Sequence, residues 1–378
     1  MMLSYPGLSK LKTKQVVYQN VLLARDSGTL EQLKELSSKR KAVEESINEN
    51  SFVTEAIARE MSGGLTSRCE QGIQKLENYL PLLENLVHHV DLVSNNSRMT
   101  CWISDLKISW SSTLTSSSIF HLNGPKFYQI KDLHFELGMT LFLYGAMLRE
   151  RALQLISTDL VQSATILRKA SGVYHYLAHE VLPPLQTALP QERPPEGTSG
   201  VSSVMSLICL ADAQAVTVKK AEENGNTGGL LAKLHYGVKE FLVEAISVLH
   251  PATKECKDIS SRFLEFISSC STLHEMKSFK YLAEGLRNDG QIGTAVGVLQ
   301  LALANAKSMP KEESWRLVSK QVIDDLTELL RKYEHENDFV WHEKVPKIDE
   351  LPFPQAVKVV SIIPYQPQKW ERMLVFKI

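Results

Sequence analysis

Apolar residues recur at intervals of three and four along most of this chain, the signature of helices that each bury one face. Over 66–94, Ile73, Leu76, Leu80, Leu83, Leu86, Val87 and Val90 fall on one stripe, with Thr66 or Ser67 as the cap and Glu70 in the first turn. Pro81 interrupts that stripe and predicts a kink or a short break. The preceding 29–60 has helical spacing at Leu30, Leu33 and Leu36, followed by polar turns and Ile57. The stretch 94–124 is rich in Ser, Thr and Asn and holds Trp102, Trp110 and Phe120, which reads as a loop anchored by its aromatics. After the turn Asn123-Gly124-Pro125, the segment 127–156 is apolar around much of its circumference. Phe135, Leu141, Phe142 and Met147 predict a central helix packed on more than one side.

Ser157-Thr158-Asp159 caps a second long helix to about 182, where Pro183-Pro184 stops it. A Pro/Gly/Glu/Ser loop of low order is expected over 190–200, then helix over 201–223, a glycine-rich turn over 224–229, and helix again over 230–249. Pro251 suits the first turn of a helix running to about 285. The turn Arg287-Asn288-Asp289-Gly290 precedes a helix to about 308, and Pro310 opens the last, ending near 336. Over 259–306 the pattern is that of a tetratricopeptide-like hairpin, in which Gly293, Gly297 and Ala302 permit close helix crossing. From 337 five prolines alternate with aromatic and β-branched residues, predicting an extended, ordered tail packed back along the body.

Composition narrows the function. Among 378 residues, 42 Lys and Arg stand against 43 Asp and Glu, so general binding to nucleic acid is not expected. Five scattered cysteines with no CxxC pair suggest neither a zinc knuckle nor a disulfide framework, and fit a reducing cytoplasm. No signal peptide, membrane span or lipidation signal is read.

Catalytic chemistry finds little support. No Walker A, GxGxxG or G-x-S-x-G segment occurs, and Gly225, Gly228 and Gly229 follow no strand. His175 and His179 lie one helical turn apart beside Glu180, which raises a metal-dependent hydrolase as a remote alternative. The H-E-x-x-H order that supplies a base is missing, and both read as core-edge histidines. Cys209 sits in an apolar setting with no base, and no cofactor is implied. The stretch 211–249 offers more. Lys219, Lys220, Lys233 and Lys239 lie on a helical hairpin whose leucines can dock an amphipathic helix with an acidic rim.

Several segments carry a resemblance: Phe135-Glu136-Leu137 through Tyr144, Ala170 to Leu177, Leu210-Ala211-Asp212-Ala213-Gln214-Ala215, Leu231-Ala232-Lys233-Leu234, and Glu336-Asn337-Asp338-Phe339-Val340-Trp341-His342. Their order over roughly 66–365 resembles the BRO1 domain of Alix and Bro class endosomal sorting proteins, with the stand-alone BRO1-domain-like proteins of plants as the nearest likeness. The resemblance implies an all-α, elongated and curved body over about 29–336 with tetratricopeptide-like hairpins. An extended tail over 337–378 packs back on it, and 1–28 matches the family poorly.

The implied activity is noncatalytic: docking the C-terminal helix of an ESCRT-III subunit of the charged-multivesicular-body-protein type. That places the protein in the cytoplasm and peripherally at endosomal membranes. A divergent adaptor for an ESCRT-I subunit or a cargo receptor is the alternative. Matched by motif, the family's binding lysine is Lys220 and its paired aliphatics are Leu230 and Leu234, four apart and so on one helix face. Its aromatic is Thr217, which forfeits an apolar anchor, and neighbouring charged positions are Ser157 and Val161. A docking tyrosine of some members is Trp341, and no downstream V-domain or long proline-rich tail is read.

Overall fold

Short polar side chains start the helices where the apolar period begins. The computed structural model describes residues 5, 7–48, 67–115, 125–185, 190–306, 313–368 and 372–378. Helix α1 is Ser27–Asn48, α2 Arg68–Asp91, α3 Ser97–Asp105, α4 Leu133–Leu155, α5 Leu160–Tyr176 and α6 Ser199–Glu223. Then come α7 Gly228–Glu255, α8 Ser261–Asn288, α9 Ile292–Ala306 and α10 Glu313–Glu336. Ser67, Asp132 and Asp159 each accept a first-turn backbone N–H (of Glu70, His134 and Gln162), satisfying donors that have no partner within the helix. From α4 onward each helix packs on the next, giving an elongated stack of antiparallel neighbours. One apolar cluster runs through it from Tyr5 to Phe376.

Several expectations change. Pro81 is buried within an unbroken α2, because its apolar stripe outweighs one missing hydrogen bond. Pro251 lies in the last turns of α7 rather than opening the next helix, which starts at Ser261. Within 94–124 there is α3, and strand β1 (Ser109–Ser111) pairs antiparallel with β2 (Phe127–Gln129), so 127–129 is strand and not helix. The 190–200 loop is ordered. Glu196 is fully buried there and accepts from the Ser112 hydroxyl, the Thr113 amide and hydroxyl, and the Leu114 amide. Helix α6 is long and apolar enough to cross a bilayer, yet its apolar surface is buried as the centre of the stack. Ile57, Thr66, Phe120 and Pro310 lie outside the described residues.

The described residues among the first 28, a segment poorly assigned by sequence, are built into the body. Leu11, Tyr18 and Leu22 are fully buried, Thr13 bridges Trp110, and Ala24 bridges Phe376. They meet α1, α2, β1 and α4 at a buried polar hub. Arg40 donates to Glu136 and to Thr13; Tyr79 donates to Glu136 Oε1 (3.0 Å), and Trp110 Nε1 donates to Oε2 (2.7 Å). Tyr18 and Tyr79 join hydroxyls at 2.7 Å, and the Arg40 guanidinium lies over the Trp110 ring. Burial, then the Glu136 charge, push both tyrosines' ionisation far upward.

Beyond α10, a π turn (Asn337–Trp341) ends in left-handed His342, and the chain becomes a strap across the stack. Gly293 and Gly297, expected at a helix crossing, instead face the strap at Lys344 and Leu351. Two other glycines are required by its close approach. A Cβ on Gly237 would fall 2.3 Å from the Val357 carbonyl, and one on Gly172 only 1.8 Å from that of Ile363. The strap then reaches α2, where the Tyr365 hydroxyl donates to Glu84 (2.8 Å).

Candidate functional site: an open helix-docking end

The antiparallel stack brings the α4–α5 and α6–α7 turns to one end of the molecule. There Ala152, Leu167, Ala213 and Val216 form a small buried cluster, covered by Ile156, Leu160, Ala164 and, from the strap, Val360. Lys219 ties the two turns together by donating to the Ile156 carbonyl at 3.3 Å. A second tether holds the α6–α7 turn. His235 Nε2 and the Tyr281 hydroxyl both donate to Glu222, at 3.1 and 2.9 Å. Burial alone would raise the Glu222 carboxyl, but these donors hold it below its usual range. With Nε2 protonated, His235 Nδ1 accepts from His274 Nδ1 (3.1 Å), and burial keeps His274 well below the ordinary histidine value. The turn is therefore a fixed platform.

On that platform Lys220 is exposed, as is Lys233, and neither makes an ion pair among the described residues. Leu230 opens α7 with 39% of its surface exposed. Thr217 is half-buried and spends its hydroxyl on the Ala213 carbonyl (2.9 Å). Leu234 is corrected by the structure: at 4% exposure it faces the interior with Leu231, Val238 and Leu242. Spacing of four does keep Leu230 and Leu234 on neighbouring directions. However, the strap lies over the turn that carries Leu234, with Val357 N donating to Lys233 O and Gln214 Nε2 to Leu234 O.

The structure supplies apolar surface that the motif reading undervalued. Val161, matched to a charged position, is 55% exposed at the start of α5. Gln214 was missed as the residue that seats the strap; its signal was an amide flanked by Ala213, Ala215 and Val216.

The other candidates do not assemble a reaction centre. His175 and His179 are surface residues, not core-edge ones. Their rings lie 4.1 Å apart, tilted by 34°, where α5 passes into a π turn, and His179 Nδ1 is spent on the His175 carbonyl. Glu180 is exposed beside them, and no group of three metal-ligating side chains occurs among the described residues. Cys209 is fully buried, its thiol pushed far up by burial.

Stacked helix hairpins, a strap running back across them and a mixed apolar and cationic end define an elongated all-α body. Comparison supplies its family. The chain belongs to the BRO1-like domain family, which matches residues 33–376. It is 22% identical to the human BRO1 domain-containing protein BROX over 309 residues, covering 77% of this chain and 72% of that protein. It is 25% identical to the vacuolar-sorting protein BRO1 of Saccharomyces cerevisiae, covering 78% of this chain and 33% of that one. The fold matches the ALIX BRO1 CHMP4C complex with a TM-score of 0.68 at 18% identity, over 95% of this chain and 96% of that chain. A Bro1-domain structure described for endosomal targeting matches with a TM-score of 0.65 at 16% identity, over 94% and 91%.

Proposed function

We propose that this protein is a noncatalytic scaffold of endosomal sorting. It docks the amphipathic C-terminal helix of a charged-multivesicular-body-protein-type ESCRT-III subunit at the α4–α5 and α6–α7 turns. The observation that carries the reading is exposed Leu230 at the same α6–α7 hairpin end as Lys220 and Lys233, two cations without ion-pair partners among the described residues. Leu230 and Val161 insert into the helix's apolar stripe while the lysines meet carboxylates on its rim, adding specificity more than affinity. The ALIX BRO1 CHMP4C complex, which shares this fold, supports the partner class. The site operates from the cytoplasm at the surface of endosomes, in keeping with the endosomal and vacuolar-sorting relatives. The finer kinship with plant stand-alone members rests on the sequence segments alone.

Magnitudes set the expected strength. The remaining exposed surface of Leu230 and Val161 contributes about 2 kcal/mol together when covered. With Thr217 in place of an aromatic anchor and Leu234 already buried, docking is of modest affinity. Those same two features favour the second reading, an adaptor that keeps the body but binds an ESCRT-I subunit or a cargo receptor. Titration with a panel of ESCRT-III C-terminal helices tests the choice. Saturable binding that falls in Leu230→Asp and in Lys220→Glu supports ESCRT-III docking, and absence of binding at high micromolar peptide moves the function to the second reading.

A further inference from the structure

The strap's hydrogen bonds have a period of two. Val357 N donates to the Lys233 carbonyl on α7, and its own carbonyl accepts from Gln214 on α6. Val359 N donates to Gln214 Oε1, Ser361 O accepts from Arg168 on α5, and Ile363 N donates to the Arg168 carbonyl. The odd-numbered main-chain groups thus face the body. Among the described residues, the main-chain groups of Ala356, Lys358, Val360 and Ile362 make no hydrogen bond. Crossing from α7 over α6 to α5 takes two interhelical steps of about 8–10 Å, which six residues cover only at a strand's rise of about 3.3 Å each. In such a chain successive residues aim their N–H and C=O to opposite sides. The even-numbered groups therefore form a strand edge turned away from the helices.

Proline marks where that edge stops. Pro352 and Pro354 before it and Pro364 after it all carry even numbers, the parity whose N–H would face outward. Between them lie four outward donors and four acceptors without partners, beside Val359, which is 53% exposed. An occupant must repeat donor and acceptor every second residue, which a helix, an ion or a small molecule does not do. We propose that the outer edge of 356–362 receives an extended, proline-free peptide segment of a partner protein, which adds as a strand. The edge runs past the helix-docking end, where Val360 helps cover the small cluster, but it is made of main-chain groups and stands whether or not a helix binds there.

The test uses the full chain and a random seven-residue peptide display library. Enriched sequences are expected to lack proline and to carry β-branched residues at alternate positions. A synthetic copy of one should slow amide exchange at Lys358, Val360 and Ile362. Lys358→Pro deletes one outward donor and should weaken binding about tenfold or more, while Lys358→Ala, which loses the same ion pair to Glu244 but keeps the N–H, stays within about twofold. Retained exchange protection at Val359 and Ile363 shows that the strap of the proline variant is still seated. No enrichment, enrichment of helix formers, or equal binding by Lys358→Pro overturns the proposal. A dimer that forms with concentration and is lost in Lys358→Pro assigns the edge to a second copy and overturns it as well.

Discussion

The Glu136 hub and the proposed docking end contrast in where their polar groups are spent: the hub turns its carboxylate wholly inward and leaves the buried Arg40 Nη1 without a hydrogen-bond partner. Both carboxylate oxygens of Glu136 accept, from Arg40, Tyr79 and Trp110, and the five residues gathered there with Tyr18 are buried to 0% exposure. At the docking end the tethers lie below, at Glu222 and Lys219, and the surface above them keeps two unpaired lysines and two half-exposed aliphatics. The first arrangement fixes the N-terminal segment to α1, α2, β1 and α4. The second presents a rigid platform whose upper groups still have free energy to gain from a partner.

The largest test of that contrast is Glu136→Ala. It leaves Arg40 buried without its counter-charge, and chemical denaturation should show a loss of about 3–5 kcal/mol. An unchanged midpoint would remove the hub from the account. Gly172→Leu comes next. Its side chain overlaps the Ile363 carbonyl, so the strap must lift, with a loss of about 1–3 kcal/mol and faster exchange at Ile363. If the melt and exchange are unchanged, the strap is not held there.

A smaller effect follows from Glu84. Burial raises its carboxyl from the ordinary 4.5 to about 7, although the Tyr365 hydroxyl opposes the shift. The folded state then holds a proton that the unfolded state releases, so this group's contribution is full below pH 4.5 and is lost as pH rises to about 7. Glu84→Gln should flatten stability over that window, measured as melting temperature against pH. An unaltered profile would place the titration elsewhere. The smallest expected change in stability is for Leu230→Asp, within about 0.5 kcal/mol because the side chain is at the surface, while helix binding falls about tenfold or more. A large loss of stability would show that Leu230 belongs to the core after all.

The helical body and the strap were legible because both leave local marks. The apolar stripe of α2, the caps Asp159 and Ser67, and the spacing of prolines after 337 are each read within a few residues. What failed depended on partners distant in sequence. Pro81 and Pro251 resemble breaks until the neighbours that hold their helices are seen. Arg40 and Glu136 lie 96 residues apart, so nothing local announces the hub. Leu234 has the same spacing signal as Leu230, and only its place in the core with Leu231, Val238 and Leu242, beside the strap crossing at Lys233 and Gly237, separates a buried leucine from an exposed one. Gln214 was the one legible hint, an amide too costly to bury without a partner.

The central claim is that a partner helix docks at the α4–α5 and α6–α7 turns. Hydrogen exchange of the full chain, with and without a charged-multivesicular-body-protein C-terminal helix, tests it most directly. Docking there slows exchange only in the stretches around Ser157 to Ala164, Thr217 to Lys220, and Gly228 to Lys233, and the slowing is absent in Leu230→Asp. Slowing confined to any other surface, or equal slowing in the variant, would contradict it.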